Sequence, residues 1–470
     1  MKIIRNKQLL FDLLAIGLTL VLFYWIKSVG FSYRFGDGNA YFYMADQFLR
    51  GLLPYRDFLI ADPPLLILLL AGVKAVIGNN IILFQAVPIL LESATAIILF
   101  LETRKKLPNI ARFTPALYLF SFLILSTTDY LTGLHFVTLF IALAYYLRKK
   151  PYLSGFFWGL ATLIKLYVIP GFLGWIIWLK LNKQTKLLQK TIISYVLTGA
   201  IFMLPFLIIA PWPVIDQIII HQFNRPAGIS KVKIFSFFIM HDLVLLIMAG
   251  ISFFVAKNLK TILPLLGWII FYLIFKDLYY LYLGVLVFWI ILSINELFIY
   301  LKKSAQNSWL ASNHQQLSII IIISILFSQV VGIRIYHQAI QPKGLFPQVE
   351  AIAEFIKQLP QKPLYGSHEV APLVALKAGL QLFNNHADTN AQLFGSGVLD
   401  KKKISTEAAQ QGVYLLTKVA NIPQNPDVDI GYDGYFDQEV FERYCQRLEI
   451  FDGPGFELFT DIAVYECSKD

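Results

Sequence analysis

The sequence predicts an α-helical polytopic membrane protein of about eleven crossings, followed by a C-terminal extracytoplasmic α/β domain. Three observations lead there. First, 57% of the 470 residues are hydrophobic and only 15% are charged, a balance outside the range of soluble globular chains. Second, apolar segments of spanning or near-spanning length recur through residues 1–336. Third, the charge is split: residues 1–336 carry 29 Lys and Arg against 12 Asp and Glu, whereas residues 337–470 carry 11 against 18. The chain therefore reads as a basic transmembrane domain, 1–336, and an acidic soluble domain, 337–470. A basic excess in a membrane protein reports which side its loops face, so nucleic acid is set aside as a partner.

Taken in order, the apolar segments fall at 9–27, 81–101, 113–128, 130–147, 191–210, 237–256, 261–275, 278–300 and 317–335. The first is of full spanning length and has no small-residue cleavage site, so it reads as a retained helix and not a signal peptide. Two stretches are ambiguous by length: 63–78 is short for a span, and 154–180 is interrupted by Lys165 and by Pro170-Gly171. The clusters Arg104 to Lys106, Arg148 to Lys150, Lys180 to Lys190, Lys257 with Lys260, and Lys302-Lys303 should all be cytoplasmic. They can be only if 63–101 crosses once and 154–180 crosses twice, as two short helices joined at an outer turn containing Lys165. The N-terminus is then cytoplasmic and the acidic domain lies outside the cell membrane. Whether 63–78 spans or is re-entrant is left open.

This parity brings the unusual charges to one face. The first outer loop, 28–62, holds Asp37, Asp46, Asp57 and Asp62, and acids beside a hydrophobic helix are costly and mark function. Asp129, Lys165, the loop 211–236 with His221 and Arg225, and Lys276-Asp277 emerge at the same face and are expected to line one cavity. Asp46 reads as a solvated helix acid, Asp57 as an exposed partner of Arg56, and Lys74 as a snorkelling side chain. Glu92 reads as paired inside the bundle. Asp242, after His241, suits helix capping as well as metal binding. In the tail, helical periodicity runs over 346–359 and 370–378, with strands at 363–365, 413–417 and 462–465. The two cysteines, Cys445 and Cys467, form a disulfide or remain separate thiols; the spacing does not decide.

The order of several motifs resembles the multi-spanning glycosyltransferases of the C superfamily (GT-C), especially protein O-mannosyltransferases and lipid A aminoarabinose transferases. The motifs are Gly36-Asp37-Gly-Asn-Ala-Tyr41 with Pro54-Tyr-Arg-Asp57, then Asp62-Pro-Pro-Leu65, Asp129-Tyr130, Gly155 to Lys165, and Lys276-Asp-Leu-Tyr-Tyr280. The resemblance covers residues 1–300; the tail matches in placement only.

The resemblance implies a sugar moved from a polyprenyl-phosphate carrier to an acceptor hydroxyl at the outer leaflet, with inversion. Such a displacement needs a base, and Asp37 matches the family's loop acid. Asp62 is a supporting candidate, as is Asp129. A turn role stands beside the catalytic one for Asp37, and a helix N-cap role for Asp129. The lipid phosphate needs cations: Lys165, whose alternative is snorkelling, Lys276 with Tyr279 and Tyr280 on the next turn, and Arg225. His221 reads equally as a loop residue without a role. The partners implied are a polyprenyl-phosphate-linked sugar, a glycan, lipid or protein acceptor, and membrane lipids. No metal-ligand spacing is present, and a divalent cation is left open. No phosphate-binding glycine loop, dinucleotide pattern or Ser/His nucleophile occurs. A transporter or flippase of lipid-linked sugars is the rival reading, weakened by the absence of paired broken helices in inverted repeats.

Overall fold

The computed structural model of the protein describes residues 2–129, 131–304, 310–419, 434–454 and 460–469. Tyr130, part of one motif above, lies outside them. The expected class holds: the chain is mostly helical, with apolar helices and a small C-terminal sheet.

Among the described residues, five helices are long and apolar enough to cross a membrane: Gln8–Ser28, Ile81–Arg104, Thr185–Ile209, Tyr280–Lys303 and Gln315–Ile340. A sixth is added if Lys231–His241 and Leu243–Ala256, bent by 94° against each other, count as one. Fewer segments meet the criterion than the eleven expected because several are broken or short. The 113–128 segment becomes two six-residue helices, Thr114–Leu119 and Phe122–Thr127, parted at Ser121. Two groups stabilise the break: Ser121, the N-cap, accepts the Ile124 amide through its hydroxyl, and the Asp242 carboxylate accepts the amides of Phe122 and Leu123 at 3.0 and 3.1 Å. Helix Leu65–Ile77 has 13 residues, about 20 Å at 1.5 Å per residue.

Compactness groups the chain into two units. One comprises Met1–Phe31, Gln85–Ile201 and Gly228–Gln341; the other comprises Ser32–Phe84, Phe202–Ala227 and Pro342–Asp470. This grouping does not follow the sequence-based division at 336/337.

The first unit is a helical bundle whose faces are assigned by spacing. On helix Lys2–Ser28, Asp12, Ile16, Thr19, Phe23 and Lys27 are buried, at intervals of three and four that make one stripe. Leu10, Leu14, Leu18, Val21 and Trp25 are exposed on the opposite side, as suits a lipid-facing surface. Helix Gly284–Ser304 is buried all round as far as Asn295, with Val285, Val287, Trp289, Ile291 and Ile294 fully covered. Buried polar groups are paired across helices. Glu92 accepts from the Tyr118 hydroxyl and meets His135 Nδ1 at 2.7 Å, so its expected pairing inside the bundle is borne out.

The 154–180 stretch forms helices Pro151–Thr162 and Ile169–Leu181, and Lys165 sits in extended backbone between them (φ −146°, ψ 122°). Small residues let these helices approach their neighbours. A Cβ at Gly155 would lie 2.2 Å from the Thr191 carbonyl oxygen, and one at Gly159 would lie 2.8 Å from Thr198 Cβ. Gly155→Val should therefore force the helices apart, costing about 1–3 kcal/mol as overpacking does. Gly199→Ala, at a site with nothing within 4 Å, should leave the midpoint of thermal denaturation in detergent unchanged.

In the second unit a four-stranded sheet is built from β1 (Leu364–Gly366), β2 (Val413–Val419), β3 (Cys445–Phe451) and β4 (Asp461–Cys467), in the order β1-β2-β4-β3. β1 is parallel to β2, and the other pairs are antiparallel. Helix Val349–Lys357 buries Val349, Ile352, Ala353 and Ile356, the i, i+3, i+4, i+7 positions of one face. Cys445 and Cys467 face each other in register and form a disulfide. β3 is the strand the sequence did not predict.

Candidate active site

Gly36, at φ 153° and ψ 166°, turns the chain directly into helix Asp37–Leu49, so Asp37 is its first residue. Free amides and the helix dipole at that end favour a carboxylate. The helix is otherwise sunk in the second unit, with Gly38 to Ala45 buried. Asn39 Nδ2 donates to the Glu369 carbonyl at 2.6 Å, and the Tyr43 hydroxyl accepts the Leu382 amide at 2.9 Å. Both bonds seat the helix on the C-terminal segment. Asp37 itself stays 46% exposed, and its Oδ1 lies 3.2 Å from Nε2 of His368, which is 17% exposed. His368 is delivered there by Gly366, whose φ of 150° ends β1. Burial works against a charge on His368. The hydrogen bond to Asp37 and the charges of Glu369, Asp37 and Asp388 outweigh it and push the pKa up to about 9.

Two further carboxylates stand by. The Tyr41 hydroxyl donates to Asp62 Oδ2 at 2.9 Å, and the Tyr55 hydroxyl donates to the Asp62 carbonyl at 2.7 Å. Burial, then the charges of Asp62, Asp37 and Asp388, hold the Tyr41 phenol well above its usual range. Burial also raises Asp388, with the charge of Asp37 adding and those of His368 and Arg225 opposing. Three carboxylates, one phenol and one imidazole thus share a small electrostatic neighbourhood.

Arg225 joins it through a buried support. His221 is fully buried; its Nε2 accepts from Arg225 Nε at 2.9 Å, and its Nδ1 lies 2.7 Å from Ser396 Oγ. Burial and the Arg225 charge, against the opposing charge of Asp62, push the His221 pKa down to about 4. The ring is therefore neutral, with the proton on Nδ1 donated to Ser396 Oγ, which in turn donates to the Leu393 carbonyl at 3.1 Å. A side chain read equally as a bystander is the strut of Arg225.

The remaining expected residues belong to the first unit. Asp129 is buried in an ion pair with Lys27 and accepts from the Tyr336 hydroxyl at 2.6 Å. It caps no helix start: the residue before helix Leu134–Tyr146 is Gly133. Lys165 is partly buried and Lys276 is exposed. Tyr279 and Tyr280 do not follow Lys276 on a helical turn, since Tyr279 is extended; their rings are 4.6 Å apart. Two minor expectations are corrected. Asp46 is not solvated: Arg50 lies 2.7 Å from it and Lys74 3.4 Å. Lys74 does not snorkel, because that ion pair and Asn79 at 2.8 Å hold its ammonium inside. Asp57 pairs with exposed Arg56 at 2.8 Å as expected.

His368 and Asp388 were not singled out by the sequence, and Tyr41 only as the last residue of a motif. A histidine just past the carboxyl end of an expected strand was the available signal, since α/β domains place ligand groups there. Among the described residues no group of three or more His, Cys, Asp or Glu is arranged to hold a metal ion.

No family model matches the sequence, and no curated protein does. Solved structures do. The structure of ArnT from Cupriavidus metallidurans bound to undecaprenyl phosphate superposes with a TM-score of 0.60 at 12% identity, over 96% of this chain and 97% of that one. The chain has the GT-C fold. The apo state of the same ArnT gives a TM-score of 0.57 at 13% identity over the same shares. The mycobacterial arabinofuranosyltransferase AftD gives 0.55 at 13% identity, and there the GT-C fold of this chain spans 98% of itself but 40% of the longer protein. The coverage of both ends means that the GT-C likeness includes the C-terminal segment, where the motifs matched in placement only.

Proposed function

We propose that the protein is a membrane glycosyltransferase that moves a sugar from a polyprenyl-phosphate carrier to an acceptor hydroxyl at the outer face, inverting the anomeric centre. The observation that carries this reading is Asp37, a half-exposed carboxylate at a helix N-terminus, inside an end-to-end GT-C fold that one neighbour uses while holding undecaprenyl phosphate. Asp37 takes the acceptor proton, the acceptor oxygen attacks C1, and the C1–O bond to phosphate breaks with its electron pair leaving on the phosphate. Asp62 supports the site. Arg225, Lys165 and Lys276, with Tyr279 and Tyr280, are assigned to the phosphate. Asp129 is assigned to holding Lys27. The Cys445–Cys467 disulfide supports an oxidising compartment for the domain 337–470, and the long apolar helices support a transmembrane domain over 1–336.

The test is incubation of the purified protein with polyprenyl-phosphate sugars and assay of donor consumption. Consumption with formation of free polyprenyl phosphate supports the reading; no consumption with any donor, alongside movement of lipid-linked sugar across vesicles, replaces it with transport. Arg225→Gln removes a charged donor and should raise the donor KM by about tenfold or more. His221→Ala frees Arg225 from its strut and should raise KM by a smaller factor. Equal KM values for Arg225→Gln and wild type would remove Arg225 from the phosphate site.

A further inference from the structure

One side chain that faces Asp37 comes from the other end of the sequence. His368 lies more than 300 positions away, yet its Nε2 is 3.2 Å from Asp37 Oδ1. The approach is built. Gly366 turns the chain out of β1, and a Cβ there would lie 2.1 Å from the Leu416 carbonyl oxygen. The Ser367 amide donates to that same carbonyl at 3.2 Å, and the Glu369 carbonyl is tied to Asn39, two residues from Asp37.

We infer that the C-terminal domain completes the catalytic centre by supplying His368, a positioning residue whose imidazolium keeps the Asp37 carboxylate ionised and aimed. This rests on the reading of Asp37 as the base. The groups around the ring are Asp37 on its helix, Glu369 beside it and Asp388 from the following loop. Behind them, Lys418 on β2 pairs with Glu369, Arg225 acts on Asp388, and Tyr41 is coupled to Asp37 and Asp388. The hydrogen bond to Asp37 and the charges of Glu369, Asp37 and Asp388 keep the ring charged at neutral pH, so it cannot itself accept the acceptor proton. When Asp37 takes that proton, Glu369 and Asp388 still face the imidazolium. The proton then leaves Asp37 to water through its exposed side, and the pair re-forms.

The sign of the pH dependence follows. The folded pKa of His368, about 9, lies above the ordinary histidine value near 6.5. Its contribution is therefore complete below about pH 6.5 and is lost as pH rises through about 9. Wild-type kcat/KM should fall on an alkaline limb near that value.

The experiment compares the full-length protein with His368→Gln, His368→Arg and Asp37→Asn, assayed with a polyprenyl-phosphate sugar. His368→Gln should lower kcat by about 10- to 100-fold with little change in donor KM. Its alkaline limb should vanish and its acid limb should move up, because Asp37 loses the imidazolium beside it. His368→Arg should recover part of kcat and carry the alkaline limb beyond that of wild type. A merely structural histidine would move neither limb. If Asp37→Asn is inactive but His368→Gln keeps wild-type kcat and both limbs, the inference fails and the base assignment stands. Should Asp37→Asn be fully active, the base assignment fails first. A flat wild-type profile between about pH 8 and 10 overturns the role of His368 even if its variants do not fold.

Discussion

Asp37→Asn is expected to lower kcat by about 10² to 10⁴, the usual contribution of a positioned general base, with donor KM within about threefold of wild type. The substitution keeps the shape of the side chain and its place at the start of helix Asp37–Leu49. It removes only the ability to take a proton. The amide has the volume of the carboxylate and sits at the same exposed position, so the fold should survive. The neighbouring acids do not compensate: Asp62 is engaged by Tyr41 at 2.9 Å, and burial raises Asp388, weakening its claim to be ionised. Initial rates of donor consumption at saturating acceptor measure the effect. Turnover of the variant within threefold of wild type would move the base elsewhere.

Lys27→Met should destabilise the bundle by about 3–5 kcal/mol, the typical effect of stranding one partner of a buried pair. Lys27 is 1% exposed and Asp129 8%. The ammonium donates to Asp129, to the Tyr336 oxygen at 2.8 Å and to the Leu125 carbonyl at 2.6 Å. One side chain thereby joins helix Lys2–Ser28, the end of helix Phe122–Thr127 and the segment Tyr336–Ile340. Removing it leaves the Asp129 carboxylate in a low-dielectric site with Tyr336 as a remaining donor. Asp129→Asn should cost a similar amount, stranding the ammonium. The double variant Lys27→Met with Asp129→Asn should recover part of the loss, because no uncompensated charge is then buried. Thermal denaturation in detergent reads all three. A catalytic Asp129 would behave differently: its Asn variant would keep stability and lose kcat.

Much of the architecture was legible in the sequence because its signals are local. Apolar length located helices Lys2–Ser28, Thr185–Ile209 and Leu310–Ile335. The placement of Lys and Arg required a turn at Lys165, where the chain does leave the helix. Short apolar runs found β1, β2 and β4, which are buried almost throughout, and a period of 3.6 found helix Val349–Lys357. What was missed depends on distant partners. The break at Ser121 rests on a local cap, Ser121 Oγ accepting the Ile124 amide, and on the Asp242 carboxylate 121 positions later, which no window of residues 113–128 contains. β3 alternates weakly because it is the sheet's edge, half covered. Of the site, Asp37, Asp62 and Arg225 were found through motifs in loops. His368 and Asp388 were not, since the tail carries no motif and their meaning arises only when β1 brings them to Asp37.

Helix Gly284–Ser304 has a consequence for biogenesis. Its most apolar window is 83% buried, yet it is synthesised after most of the helices that pack against it, helix Leu310–Ile335 being the later one. Until the ribosome has passed residue 304, the partly inserted bundle has an empty axis, and the inward faces bearing Trp158, Trp175 and Tyr145 have lipid or one another for company. The nascent protein must therefore wait in the membrane as a loose sheaf of helices held by charged contacts such as Lys27–Asp129 and Glu92–His135. Final packing is delayed to the last third of translation, which makes that interval the natural point for membrane quality control to sort folded chains from failed ones.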